Sequence, residues 1–117
     1  MISSVQSALS GLQASGARLS AVASNVANMN TEGYRRTRVL FEEQKTGGVL
    51  AVPEKVDIPG LSIPVEVRSE LEMVEQSATD PARELSDMRQ ARIMYQAQLK
   101  TITAEKAMED SVLDITA

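Results

Sequence analysis

The sequence predicts a mainly α-helical protein with a small β-rich middle. Two long helices, one at each end of the 117-residue chain, are expected to pair as a coiled-coil-like hairpin, with a β-hairpin and an extended, proline-containing arm between them. Three features predict this fold: heptad spacing near the N-terminus, an Asp-Pro helix start at residues 80 and 81, and a middle rich in valine, glycine and proline. The expected units are 1–33, 34–78 and 79–117.

The first helix is predicted over residues 2–26, where apolar or small residues recur at alternating steps of three and four. This spacing defines an a/d seam, the stripe through which helices pair in coiled coils. Glycine and alanine at two seam positions predict a close approach, because a larger side chain there would force the helices apart. The seam residues are Ile2, Val5, Leu9, Leu12, Gly16, Leu19, Ala23 and Val26.

The rest of this helix is small and nearly uncharged, with Arg18 as the one charged side chain between residues 1 and 31. A helix whose back meets water normally carries interleaved lysine and glutamate. Serine and alanine instead permit neighbours to approach closely. We interpret this as a helix surrounded by other helices; the alternative is an ordinary two-helix hairpin with an exposed Ser/Ala-rich back.

Residues 25–34 are predicted to end the first helix and turn the chain. Asparagine tolerates left-handed backbone and bonds nearby main-chain groups, and Gly33 is free to adopt a positive φ. Asn25 and Asn28 come too early to be simple caps, so their amides are expected to bond a neighbouring helix. The residues of this signature turn are Asn25, Asn28, Asn30, Thr31, Gly33 and Tyr34.

The middle of the chain predicts β structure. Residues 39–41 and 49–52 are β-prone and flank Gly47-Gly48, which predicts a hairpin. Three prolines then exclude a helix or a central strand and predict edge strands or an extended arm. These prolines are Pro53, Pro59 and Pro64.

Two later segments are less sharply defined by their sequence. Residues 65–68 alternate as a further strand would, whereas residues 69–78 fit either a strand or an early helical turn. The second helix is predicted to start after Asp80 as N-cap, with Pro81 in the first turn. Its outer face carries charges, Glu84 and Asp87 among them, and is expected to meet water. Its seam residues are Leu85, Met88, Tyr95, Leu99 and Ile102.

Composition excludes most chemistry. The chain has no histidine and no cysteine, which removes the usual general base, the commonest metal ligand and any thiolate. We therefore expect no enzyme activity, no catalytic or metal-binding residues and no cofactor. The adjacent Glu42 and Glu43 would point to opposite faces of a strand, and Gly47-Gly48 lacks the lysine of a phosphate-binding loop.

Nucleic acids and membranes are not the expected partners. The net charge of −4 disfavours nucleic acid, although Arg35, Arg36 and Arg38 form a local basic cluster. We interpret these arginines as candidates for charge contacts with acidic residues of a neighbouring subunit. No signal peptide and no long apolar run is evident, so neither a cleaved leader nor direct membrane insertion is expected.

Two segments of the sequence resemble a known family. ASNVANMNTEGYRRTRVLFEE, residues 23–43, resembles the signature of the flagellar basal-body rod and hook family. ELSDMRQARIMYQAQLKTITAEKAMEDSVLDI, residues 84–115, resembles the C-terminal segment of the same family, and the short middle is most like that of the proximal rod proteins. Two departures stand out: Glu32 replaces the usual proline, and Gln98 replaces the asparagine that usually closes the tyrosine motif.

The resemblance implies a structural subunit of the flagellar basal-body rod. Such a subunit polymerises through its terminal helices, with itself and other flagellar axial proteins, into an axial tube that transmits torque. It also implies passage through the flagellar export apparatus without a cleaved signal peptide, into the periplasm-spanning rod. The alternative is a cytoplasmic coiled-coil adaptor or export chaperone, which would share the helical pattern but would not need the Asn–Thr–Gly–Tyr turn.

Overall fold

The protein is an elongated molecule of two antiparallel helices and two β-hairpins, with principal extents of 82 × 24 × 17 Å. The computed structural model describes residues 2–117; Met1 and the side chain of Ile2, a predicted seam residue, lie outside the described part. The elements, in chain order, are α1 (Ile2–Ala27), β1 (Thr37–Glu43), β2 (Val49–Lys55), β3 (Ser62–Val67), β4 (Glu70–Glu75) and α2 (Pro81–Thr116).

Helix α1 is covered on two sides within its own chain. On one side Arg18 reaches Asp87 of α2, and on the other the Val49 N–H of β2 donates to Ser10 Oγ at 3.1 Å. Small residues allow this double contact, and Ala8, Ala14 and Val22 are among the buried ones. The Ser/Ala face is therefore occupied in part by the first hairpin, not only by helices.

The first predicted hairpin is confirmed. Strands β1 and β2 are antiparallel, with Phe41 opposite Ala51, and the turn between them contains Gly47 and Gly48 at φ of 86° and 94°. The hairpin lies against α1 so closely that a Cβ on Gly48 would overlap the Ser10 side chain. Glycine at this position is thus required by both backbone and packing.

A second hairpin replaces most of the expected extended arm. Pro53 lies in β2 and Pro64 in β3, and only residues 56–61 connect the two hairpins. Proline is tolerated here because each strand of a two-stranded ribbon has one free edge, where a missing N–H breaks no ladder bond. Strand β4 shows that residues 70–75 form a strand and not a helical turn.

Helix α2 begins as predicted. The Asp80 carboxylate accepts a hydrogen bond from the Ala82 N–H at 3.1 Å, and Pro81 occupies the first turn. The helix has 36 residues against 26 in α1. Gly11 faces Gln98 in this antiparallel pair. Both helices rise about 1.5 Å per residue, so the start of α1 lies beside about residue 107 of α2. The last turns of α2, residues 106–117, are exposed throughout.

Candidate assembly site where the helices and the first hairpin meet

Asn25 joins three elements at the end of α1. Its side chain is fully buried, and its Nδ2 donates to the Thr37 carbonyl of β1 at 2.7 Å and to Glu84 Oε2 of α2 at 3.0 Å. Its Oδ1 accepts from the Thr37 N–H at 2.8 Å and from the Tyr34 hydroxyl at 3.1 Å. The prediction that Asn25 bonds a neighbouring helix is confirmed, and that helix is α2 of the same chain.

A partly buried ion-pair cluster lies next to this asparagine. Glu84 has no exposed surface, and its Oε1 lies 2.9 Å from Arg36 Nε. Asp87 bridges two arginines, with Oδ2 at 3.5 Å from Arg36 Nη2 and Oδ1 at 3.2 Å from Arg18 Nη2. Burial of a carboxylate is costly unless a cation and hydrogen-bond donors accompany it, and here both are present.

The expectation that Glu84 lies on the solvated outer face of the second helix is therefore wrong. Glu84 shares the α1-facing side of α2 with Ala91 and Gln98, since the three residues are spaced by seven. The spacing of seven could have shown from the sequence that Glu84 lies on the face of α2 that contacts α1. Sequence analysis missed this because glutamate is usually a surface residue.

The signature turn folds mainly on itself. Asn28 Nδ2 donates to the Ser24 carbonyl at 2.8 Å, so this amide bonds its own helix end and not a neighbouring helix as expected. The Thr31 hydroxyl donates to Asn28 Oδ1 at 3.1 Å, and Asn30 lies exposed in the turn. Gly33 has a φ of 67°, in agreement with the prediction, and its N–H donates to the Glu75 carbonyl at 2.9 Å.

Each arginine of the basic cluster has a carboxylate partner in this chain. Arg35 Nη1 lies 2.7 Å from Glu75 Oε1, at the base of the second hairpin. Arg38 Nη2 lies 2.7 Å from Glu54 Oε2, across β1 and β2, in a pair that is about half exposed. Arg36 is the nearly buried member described above. Arg36 therefore joins the signature turn to α2, Arg35 joins it to the second hairpin, and Arg38 links the two strands of the first hairpin. Contacts of the arginines with neighbouring subunits stay a prediction.

The predicted seam residues divide into two groups. The partly covered ones are Val5, Leu12, Gly16, Leu19 and Val26 in α1 and Met88, Tyr95 and Ile102 in α2. The exposed ones are Leu9, Ala23, Leu85 and Leu99, and Leu85 is 65% exposed. Leu85 and Leu99 therefore do not fill the interface between α1 and α2, in contrast to the predicted pairing.

The cause of this difference is the rotation of α2 about its axis. A Cβ on Gly11 would lie 2.7 Å from Gln98 Nε2, which marks a close approach that sequence analysis missed, whereas one on Gly16 would be 3.9 Å from Tyr95. Together with the Asn25–Glu84 bond, this contact turns Leu85 and Leu99 away from α1. The exposed apolar surface continues into residues 106–117, where Ile115 is 82% exposed.

Metal chemistry and membrane crossing have no support in the described residues. Residues 2–117 hold no group of three or more Asp, Glu, His or Cys side chains placed to bind a metal ion. Neither helix in this range combines the length and the hydropathy that a membrane span requires.

Comparison with protein families identifies both helical segments. Residues 6–35 match the family described as flagella basal body rod protein, and residues 71–115 match the family described as flagellar basal body rod FlgEFG protein C-terminal. The two matches together cover more than half of the chain and contain both sides of the Asn25–Glu84 contact. The chain belongs to the flagellar basal-body rod and hook family.

Family membership defines the general role. These families are structural components of the flagellum and not enzymes, so this rod-family chain is a structural component of the flagellar basal body, the base of a motility organelle. Comparison with curated proteins gives no significant match.

Proposed function

We propose that the chain is a rod subunit that polymerises through its two terminal helices into the axial tube of the flagellar basal body. The observation that supports this most directly is the apolar surface left on the helix pair. Residues such as Leu9, Leu85 and Leu99 are exposed, although water-facing helices normally avoid contiguous apolar stripes. Neighbouring subunits, of this chain or of other axial proteins, would cover that surface.

Torque transmission would use the cluster around Asn25. A subunit can pass a twisting force to its neighbours only if its own elements do not rotate against one another. The buried contacts of Asn25, Glu84 and Arg36 join α1, α2 and β1 at one point. Arg38, whose ion pair is half exposed, is the member of the basic cluster that is most available for a contact with an adjacent subunit.

Export would precede assembly, through the flagellar export apparatus and without a cleaved signal peptide. Residues 106–117 are exposed in the isolated chain, and an unsupported helix of this length is marginal in water. We propose that this segment becomes ordered when neighbouring subunits cover it, as in coupled folding and binding.

Cell fractionation tests the proposed function. The tagged full-length chain is expected in purified basal bodies, and deletion of its gene is expected to abolish motility. A cytoplasmic adaptor or export chaperone would instead stay in the cytosolic fraction. Cytosolic recovery together with absence from basal bodies would overturn the rod proposal.

A further inference from the structure

The second hairpin, β3–β4, projects from the molecule without lateral support. Among the described residues it packs against no helix and no other strand. It is held at its base, where the Gly33 N–H donates to the Glu75 carbonyl at 2.9 Å and Arg35 Nη1 lies 2.7 Å from Glu75 Oε1. An isolated two-stranded hairpin is at best marginally stable in water. A surface that covers it would therefore stabilise it.

One face of this hairpin combines apolar and acidic side chains. Pro64 lies opposite Met73 and Glu66 opposite Leu71, so these four residues share one face, called here the hairpin face. Leu71 and Met73 are 77% and 68% exposed. The two strands and their turn also contain Glu70, Glu72 and Glu75 against the single cation Arg68, which makes the hairpin acidic overall.

A complementary surface runs along α2. Leu85, Arg92 and Leu99 are spaced by seven and lie on one side of the helix, flanked by Arg89, Ile93 and Lys100. We call these six residues the basic stripe, and all six are exposed. Within residues 2–117, none of its three cations takes part in an ion pair.

We propose that the hairpin face of one copy docks on the basic stripe of a second copy. The contact would cover Leu71 and Met73 with Leu85, Ile93 and Leu99 and bring the Glu66 carboxylate to the unpaired cations of the stripe, a complementarity that selects the partner and the register. Because the two surfaces differ, the contact is heterologous and generates a ring or an open helical chain of subunits instead of a closed dimer. The inference rests on the proposed function and assigns the surfaces through which two subunits meet.

The segment 106–117 is a weaker occupant of the same stripe. Its apolar residues Met108, Val112 and Ile115 lie on one side of the helix at about 100° per residue, and Asp110 and Asp114 lie on the opposite side. Glu109 and Leu113 lie between these two sides, so the segment combines apolar and acidic side chains only at the border of its apolar side, and the Ile115 cross-link described below distinguishes it from the hairpin. In the hairpin, Glu66 and Leu71 stand directly opposite each other on the same face.

Cysteine cross-linking tests the docking, since the chain has no cysteine of its own. Leu71→Cys is combined in turn with Leu85→Cys, Ile93→Cys and Leu99→Cys in the full chain, which replaces the wild type in cells. After oxidation and isolation of basal bodies, at least one pair is expected to give a ladder of disulfide-linked multimers on non-reducing gels. Each single variant should give at most dimers. Ile115→Cys with Ile93→Cys is the matched control and should give no ladder.

The outcomes separate the two proposals. If the wild-type chain is absent from basal bodies, the proposed function and the docking both fail. If the cysteine variants are present in basal bodies and no pair with residue 71 cross-links, or only the Ile115 control does, the docking fails alone.

A charge-reversal experiment tests the docking if a cysteine variant is not incorporated into basal bodies. Glu66→Arg, the charge reversal on the hairpin face, should lower recovery in basal bodies by at least about tenfold, because like charges would then face each other across the contact. Adding Arg89→Glu and Arg92→Glu should restore recovery. Failure to restore it would overturn the docking.

Discussion

At the scale of single residues, the Asn25 side chain has its hydrogen-bonding capacity fully used. Both Nδ2 protons and both lone pairs of Oδ1 have partners, which lie on α2, β1 and the turn that joins α1 to β1. A buried amide contributes about 1 kcal/mol per bond when it is satisfied and costs about 1–3 kcal/mol when a partner is lost. Asn25 therefore specifies one relative placement of three elements and disfavours others.

Glu84→Gln should be strongly destabilising. Glutamine keeps an acceptor for the Asn25 amide but removes the charge opposite Arg36, which leaves a nearly buried guanidinium without its closest counter-ion. We expect a loss of about 3 kcal/mol in the free energy of unfolding, measured by urea denaturation followed by circular dichroism. Glu109→Gln, on the exposed end of the same helix, is the matched control and should change it by no more than about 0.5 kcal/mol. Similar losses in the two variants would contradict the role of the buried pair.

Two glycines of α1 should respond differently to substitution. Gly11→Leu should cost about 1–3 kcal/mol of unfolding free energy, because Gln98 occupies the space next to Gly11. Gly16→Ala should be neutral or stabilising by up to about 1 kcal/mol, since Tyr95 leaves ordinary contact distance and alanine favours the helix. Thermal unfolding of the two variants measures both effects. A larger loss for Gly16→Ala than for Gly11→Leu would contradict the observed rotation of the helices.

At the scale of elements, the sequence predicts the helix ends and turns whose local backbone preferences agree with the way they pack. The Asp80-Pro81 start, the helix end near Val26 and the Gly47-Gly48 turn follow from backbone preferences and appear in the structure. The second hairpin was not predicted because its two-residue turn places Arg68 and Ser69 at φ of 51° and 71°. Turns of this kind usually contain Asn-Gly, so the sequence carried no signal for one.

The candidate site was only partly predictable for a related reason. Asn25 could be identified because it lies too early in the sequence to be a simple helix cap. Glu84 and Asp87 have the residue type of surface charges, and only the structure shows that Arg36 and Arg18 lie next to them. Periodicity identified which residues share a helix face. It could not identify which face meets α1, because a close contact at Gly11 and a buried polar bond decide that rotation.

The first hairpin offers a prediction at this scale. Gly48→Ala should cost more than Gly33→Ala, although both glycines have positive φ. A Cβ on Gly33 would meet no atom within 4 Å, so only the backbone strain of about 1–2 kcal/mol applies. A Cβ on Gly48 would also overlap Ser10 and push the hairpin off α1. Equal urea midpoints for the two variants would show that the hairpin is not seated on the helix.

At the scale of the whole molecule, the two ends differ in how much support they receive. One end holds the cluster around Glu84 and the second hairpin, and the first hairpin runs from there along α1 to Ser10. The other end consists of α2 alone beyond the start of α1. Hydrogen exchange of the purified chain should therefore show slow amides around residues 84–98 and fast ones in residues 106–117. Uniform protection along α2 would mean that the helix is ordered to its end before any partner binds.

The charged cluster around Glu84 has a consequence for the proposed export, in which the chain would unfold before passage and refold afterwards. Ions removed from water on folding regain their hydration on unfolding, so we expect such a cluster to contribute more to the choice of a single conformation than to resistance against unfolding. An interior of packed aromatic rings would oppose opening more strongly, and this chain has only three aromatic residues, Tyr34, Phe41 and Tyr95. A subunit built in this way can be threaded through a narrow passage at modest mechanical work and still recover one defined shape on the far side.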